Sequence, residues 1–339
     1  MRNERITSRR SFLSNCLAGV AGLAAGEPAL PMDAAEAVSS ATRARVAISH
    51  DALLRDAGGK VDSRRVVALL DHAMQSLFGA DEPMRPWTMI VRQGQMVGVK
   101  VNTLGGRGIS SNVSLVEAIC ERLQGAGVRP QQIVIWDRDS AELERAGFRI
   151  RTGGNQVQCF GTDRAGYEDQ LVTWGSVGSK LSKILTQRCD VLINVPVLKD
   201  HDGAGVSIAL KNMYGVIHNP NKYHPNGCDP YIADVNMLPE IRTKLRLTIC
   251  DATSACFEGG PSFKPEFTWQ HNTLIVAQDP VALDTVGWKM IEGKRAEKGL
   301  GTLVAEGRAP RYIATAADAA HRLGTNDPRR ITLAEVRVA

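Results

Sequence analysis

The sequence predicts an α/β domain built on a mostly parallel or mixed sheet with helices on both faces. Three observations predict it. Short apolar runs of strand length (MVGVKV, IVIW, DVLINV, LRLTIC, TLIVA) alternate with segments whose apolar residues recur at three and four. Met96 to Trp136 reads as strand–helix–strand, for which a parallel pair with a right-handed crossover is the default. Polar residues that carry chemistry follow the apolar runs: Asn102, Asp137, Lys199 with His201, and Asp251. Strand carboxyl ends are where open α/β sheets place ligands.

The elements follow in order. Residues 1–37 stand apart from the fold pattern. Arg9 and Arg10 are followed by Phe12 and Leu13, a weakly apolar stretch from Cys16 to Ala25, and the small-residue site Ala35-Glu36-Ala37. This is the layout of a twin-arginine export signal. The expected partner during export is therefore the twin-arginine translocase, and the expected location is the periplasm. Chains exported this way fold first, many with a cofactor loaded. Residues 38–60 read as a leader, residues 38–95 as leader plus first helix, and residues 96–339 as the main α/β domain.

Ser63 to Phe78 is helical, with Val66, Leu69, Leu70, Ala73, Met74 and Leu77 on one stripe. Met96 to Val101 is a buried strand. Ser111 or Asn112 caps the next helix, which Gly125 and Gly127 end. Ile133 to Trp136 is a strand. A polar middle runs from Asp139 to about Trp174, and Val177 to Thr186 reads as helix. Asp190 to Val195 is a strand that Pro196 should stop, since proline cannot donate to a central ladder. Lys199 to Gly205 is then expected as a loop and Ser207 to Ile217 as a helix. Leu245 to Cys250 and Thr273 to Ala277 are strands, Asp279-Pro280 opens a helix, and Tyr312 to Leu323 is a last helix.

The composition narrows the function classes. With 43% hydrophobic and 23% charged residues, the 339-residue chain has a real core, enough for one large domain or two modest ones. The signal would remove Arg2, Arg5, Arg9 and Arg10 with Glu4, Glu27, Asp33 and Glu36, so the net charge stays at +5. No lysine/arginine block gives a nucleic-acid footprint, and no apolar run supplies the ~20 residues of a membrane span in the mature chain. Of the seven cysteines, six lie beyond the signal; an oxidising compartment permits disulfides among them. The absence of C-x-x-C leaves a zinc ribbon or ferredoxin-type cluster without support.

Four stretches carry candidate chemistry. In NVPVLKDHDGAGVSIALKNMYGV, Lys199 supplies a point charge and His201 a titratable group or ligand. Gly203 and Gly205 permit close backbone approach, and Ser207 opens a helix whose start favours anions, with Lys211 and Asn212 beyond. The bland reading is a crowded polar turn. In KVNTLGGRGISSN, Lys100, Asn102 and Arg107 flank a glycine-rich loop before a helix start, a second anion cradle. The loop from His218 to Asp234 holds His218, His224, Cys228, Asp229 and Asp234, ligand types at no standard zinc spacing. Asp251 follows a strand as base or ligand, and Asp284 sits one turn into the helix opened at Asp279. GAGVSI lacks the third glycine of a dinucleotide fingerprint.

These residues resemble the domain-of-unknown-function family 362. The resemblance rests on P-x-L-K-x-H-x3-G-V-S-x2-L-K-N-M-Y-G from Pro196 to Gly215, K-V-N at 100–102, I-C-D-A at 249–252, G-G-P at 259–261 and D-P-V-A-L-D at 279–284. The family carries no settled activity. Some members are joined to ferredoxin modules, which implies redox surroundings, but this chain lacks such cysteines. Lys199-x-His201 with the following Ser-x-x-Leu-Lys is also similar to a K-P-H-T…S-G segment in relatives of nickel-pincer lactate racemase; that likeness implies cofactor or substrate handling by Lys199 and His201.

The expectation is an exported enzyme acting on a small anionic substrate, with a divalent metal or a redox cofactor as the expected helper. Lys199, His201, Lys211 and Asp251 are its catalytic candidates. Lys100, Asn102, Arg107, Gly203, Gly205, Ser207 and Asn212 are the cradle. His201, His218, His224, Cys228 and Asp284 are the metal-ligand candidates. The competing expectation is a non-catalytic periplasmic binding protein for an anion.

Overall fold

The computed structural model describes residues 43–338, and the expected export signal lies outside the described residues. In chain order the strands are β1 (Ala44–His50), β2 (Val97–Val101), β3 (Ile133–Trp136), β4 (Gln158–Cys159), β5 (Val172–Trp174), β6 (Val177–Ser179), β7 (Val191–Val195), β8 (Val197–His201), β9 (Gly205–Ser207), β10 (Leu245–Cys256), β11 (Thr268–Trp269), β12 (Thr273–Ala277) and β13 (Ile331–Arg337). Eleven of these join one mixed sheet in the order β13-β1-β12-β10-β7-β2-β3-β4, with β8 and β11 paired to β10 and β9 to β8. The run β10-β7-β2-β3-β4 is parallel throughout. β5 and β6 form a separate hairpin.

The two-residue period of the strands sorts side chains onto two cores. Val97, Val99 and Val101 of β2 and Val191, Ile193 and Val195 of β7 pack with the helices Ser63–Phe78 and Val113–Gly125. Trp136, Leu192, Cys250 and Ile275 face the other way, into the core that includes the helix Pro280–Glu297. Lys100 and Asn194 share that second face, paired across β2 and β7 in register. A lysine and an asparagine thus stand where the alternation would otherwise place core residues.

Several boundaries fall where local chemistry sets them. The helix Ser63–Phe78 starts on Asp62, whose carboxylate accepts from Arg64 N and Arg65 N, and ends on Gly79 in the left-handed region. Asn112 caps Val113–Gly125, and Asp279 caps the helix starting at Pro280.

Other expectations are corrected. The leader over residues 38–60 contains β1, an interior strand between β12 and β13, so the sheet starts well before residue 96. Pro196 interrupts the ladder without ending it: its carbonyl accepts from Asp251 N at 2.8 Å, and β8 resumes pairing with β10 beyond it. Lys199 and His201 therefore sit on a strand, hairpinned to β9, and not in a loop. The helix expected over Ser207–Ile217 is only Ala209–Asn212, tightening into a 3₁₀ turn over Met213–Val216. The stretch Val177 to Thr186 splits into β6 and the helix Lys183–Gln187, the polar middle holds the helix Ser140–Ala146, and the last helix stops at Ala317. β10 continues through the polar Asp251–Cys256 because β8 and β11 supply partners there.

The six cysteines Cys120, Cys159, Cys189, Cys228, Cys250 and Cys256 are buried, and none is in a disulfide. Among the described residues, no helix is long and apolar enough to cross a membrane.

Candidate functional site

The carboxyl ends of β2 and β3, together with β8 and the turns after β9, enclose a cleft of about 290 Å³. Lys100, Lys199, Lys211, His201 and His224 all line it. Lys100 comes from β2, Lys199 and His201 from alternate positions of β8, and Lys211 from the short helix behind β9. Asp137 lies immediately after β3, and His224 lies between the 3₁₀ turns Pro220–Tyr223 and Pro225–Cys228.

The three lysines are not equivalent. Lys100 Nζ donates to Asp137 Oδ1 at 2.7 Å, to the Val101 carbonyl at 2.7 Å and to Asn212 Oδ1 at 3.5 Å, so its three protons are used within the protein. Asp137 in turn accepts from Thr103 N and Thr103 Oγ1, both at 2.8 Å. Gly215 lies over this pair; a Cβ there would meet Lys100 Nζ at 2.7 Å and Asp137 Oδ1 at 3.0 Å, so a larger residue would have to push the pair aside. The expectation that Lys100 fixes an outside anion is corrected: its charge is already spent on Asp137.

Lys199 and Lys211 have no such partner. Lys199 is 1% exposed and donates to the neutral amide oxygen of Asn102 at 2.7 Å. Lys211 is 7% exposed, sits 4.5 Å from the centre of the Tyr214 ring and reaches His224 Nε2 at 3.4 Å. Among the described residues neither makes a carboxylate contact like that of Lys100 with Asp137. Burial pushes each of the two ammonium groups down to about 8. Two desolvated cations facing one cleft favour an anion between them, because the unpaired buried charge is what costs free energy.

Behind Lys199 runs a chain of three amides. Asn102 Nδ2 donates to Asn212 Oδ1 at 3.0 Å, Asn212 Nδ2 to Asn194 Oδ1 at 2.7 Å, and Asn194 Nδ2 to the Ala209 carbonyl at 2.9 Å. The orientation is forced from both ends, since an ammonium can only donate and a carbonyl can only accept. Each amide dipole therefore turns its oxygen toward the lysine. The arrangement steadies a cation without offering it anywhere to lose a proton.

The two histidines differ in tautomer for the same kind of reason. His201 Nδ1 faces the backbone N–H groups of Gly203 at 3.1 Å and Ala204 at 3.2 Å, so this nitrogen must accept and the ring proton is on Nε2. Burial, Lys211, His224 and Lys199 together drive its basicity down to about 2. His201 is a neutral Nε2–H donor, and neither a base nor a ligand through Nε2 in this geometry. His224 has the opposite arrangement: Nδ1 lies 3.1 Å from the Pro220 carbonyl and must donate, which leaves the Nε2 lone pair toward Lys211. Burial and then Lys211 lower His224 as well. The two rings stack at 5.8 Å and 26°.

Several of the remaining expected residues lie elsewhere, and two of them explain why. Both anticipated anion cradles at helix starts are filled by the protein's own carboxylates. Asp251 Oδ2 accepts from Asn112 N at 2.6 Å and Oδ1 from Thr253 N at 2.8 Å; it is buried, with its proton affinity raised by desolvation, and does not line the cleft. Asp284 accepts from Ala209 N at 2.7 Å and Leu210 N at 3.2 Å, and burial raises it to about 7. Gly205 has φ +78°, and the backbone it approaches is Arg308's carbonyl and not a ligand. Gly203 acts through its N–H on His201, and Ser207 and Asn102 line the cleft. Arg107 lies outside it, beside Gly147.

His218 turns to Ser179 Oγ at 3.1 Å, and Cys228 is buried beneath the His224 carbonyl. The five expected metal ligands thus do not converge. The one group of three ligand-type side chains among the described residues is Asp200, Asp202 and Glu258, with oxygens within 4.8 Å of one another. Arg308 already sits among them, bonded to Asp200 at 3.1 Å and Glu258 at 2.7 Å, and Arg295 also bonds Glu258. Those guanidinium groups neutralise the acidic cluster.

Asn194, Arg138, Glu142 and Tyr214 were missed. Asn194 had a signal: one amide inside the apolar VLINV run. Arg138 and Glu142 had none, because the helix holding Glu142 fell in the polar middle.

One family model, described as "Domain of unknown function (DUF362)", matches residues 97–289, a span that includes the three lysines, both histidines and the amide chain. No curated protein matches the chain.

Proposed function

The chain belongs to the DUF362 family, and from that premise we propose that it is an exported enzyme that takes a small organic anion into the Lys199–Lys211 cleft. One observation carries the proposal: two buried ammonium groups face the cleft with neutral partners only. An anion there gains two charge-assisted contacts and relieves two desolvated charges. The His201 Nε2–H adds a neutral donor, suited to an oxygen on which negative charge develops; such a donor typically contributes 10²–10³-fold to turnover. The cleft volume of about 290 Å³ suits a molecule of a few heavy atoms bearing one or two carboxylates. Export by the twin-arginine route belongs to the same proposal and rests on the order of motifs in residues 9–37.

Titration calorimetry with oxalate, malonate and phosphate tests the reading. Oxalate or malonate should bind, and Lys199→Met and Lys211→Met should each weaken binding by about 30-fold or more, the scale for loss of one partner of a buried charge pair. Full affinity in both variants would end the proposal. Anion binding with no turnover of any small carboxylate would favour a non-catalytic binder over an enzyme.

A further inference from the structure

Lys211 and Lys199 carry similar charges but differ in one chemical respect. Lys199 is held by an amide oxygen, which cannot take its proton. Lys211 is 3.4 Å from the Nε2 lone pair of His224, whose other nitrogen is tied to the Pro220 carbonyl at 3.1 Å. Nucleophile, base and a third group that orients the base is the arrangement by which proteins activate a weak nucleophile, and the first contact is commonly long before substrate arrives. The Tyr214 ring, 4.5 Å from Lys211 Nζ, fixes the amine's position.

We propose that Lys211 is a nucleophilic amine that condenses with the carbonyl of a small 2-oxo carboxylate, His224 moving its protons while Lys199 and the His201 Nε2–H hold the carboxylate. This rests on the anion reading above and deepens it by naming the substrate class. The step balances. The Lys211 ammonium passes one proton to His224 Nε2, and the freed nitrogen pair adds to the carbonyl carbon as the C=O π pair moves to oxygen. His224 returns its proton to that oxygen, takes a second from nitrogen, and delivers it as the C–O bond breaks. Water departs, a C=N bond remains, and the iminium keeps the single positive charge the ammonium brought. No oxidant or reductant is consumed. Burial supports the assignment, since an ammonium brought down to about 8 leaves roughly a tenth of Lys211 as free amine at neutral pH.

The test is reductive trapping on the full chain with pyruvate and sodium cyanoborohydride, read by intact mass and peptide mapping, beside calorimetry with oxalate. The expected result is one adduct, on Lys211, with the mass of the oxo acid less water plus two hydrogens. Oxalate should suppress it, and acetone, which lacks the carboxylate, should label far more slowly. Lys211→Arg should abolish the adduct. His224→Gln should slow its formation by about 10²-fold, the scale of a lost proton-transfer partner. If oxalate binds and no adduct forms, the imine proposal is overturned and the anion site stands. If oxalate does not bind either, both readings fall. An adduct on Lys199, or one scattered over surface lysines, also overturns it, and because wild-type protein gives that answer, misfolding of a variant does not obscure the result.

Discussion

At the scale of single residues, the site is defined by which polar group stands beside each cation. Lys100 meets a carboxylate and is spent, Lys199 meets an amide and keeps its charge for a ligand, and Lys211 meets an imidazole and can release a proton. The identity of Asn102 is therefore decisive. Asn102→Asp changes one amide nitrogen to oxygen and puts a carboxylate 2.7 Å from Lys199, reproducing the Lys100–Asp137 arrangement. Oxalate affinity should fall by about 30-fold or more in calorimetry, because an internal anion then competes for the lysine. Unchanged affinity would show that the ligand does not use Lys199.

At the scale of elements, the cleft depends on a short piece that is held by a carboxylate from a distant helix. Ala209–Asn212 carries Lys211 and Asn212 yet is a single turn, too short to stand without outside support. Asp284, from the helix Pro280–Glu297, supplies it through the N–H groups of Ala209 and Leu210. Asp284→Ala should lower unfolding free energy by about 1–3 kcal/mol for the orphaned donors, and should weaken oxalate binding although Asp284 does not line the cleft. Chemical denaturation and calorimetry on the same preparation check both halves. This is also the scale at which the sequence was least legible. Long periodic or uniformly apolar segments such as Ser63–Phe78, Ile133–Trp136 and Thr273–Ala277 were readable because burial alone dictates them. β8, β9 and the turn at Ala209 were not, because tertiary partners decide them: β10 rescues the strand after Pro196, and Asp284 occupies the helix start that seemed open to a ligand. Lys199, His201 and Lys211 could still be read as neighbours of a site; the internal pairing of Lys100, and the diversion of His218, Cys228 and Asp251 to structural roles, needed coordinates.

At the scale of the whole molecule, contacts between remote segments give the stability a pH signature. His321 Nδ1 lies 2.9 Å from Asp318 Oδ1 and Nε2 3.1 Å from Asp234 Oδ1, while Asp234 Oδ2 accepts from Ser176 N, so one ring joins the C-terminal region to the helix Tyr231–Met237 and the β5–β6 turn. Burial opposes protonation of His321, but hydrogen bonds to Asp318 and Asp234 outweigh it and hold the proton above the ordinary 6.5. The folded chain thus binds this proton more tightly than the unfolded chain. Its contribution is fully present below pH 6.5 and fades as pH rises through the folded value. Melting temperature should fall across that window more steeply in the native chain than in His321→Gln; equal slopes would remove the clamp. A different consequence follows from the six buried sulfurs. Burial raises every one above the ordinary 9.0, so almost no thiolate exists for an alkylating reagent while the chain is folded. Iodoacetamide uptake at these six then becomes a stopwatch for global opening: the described residues carry an unfolding reporter of their own, silent until the sheet comes apart and read out six times when it does.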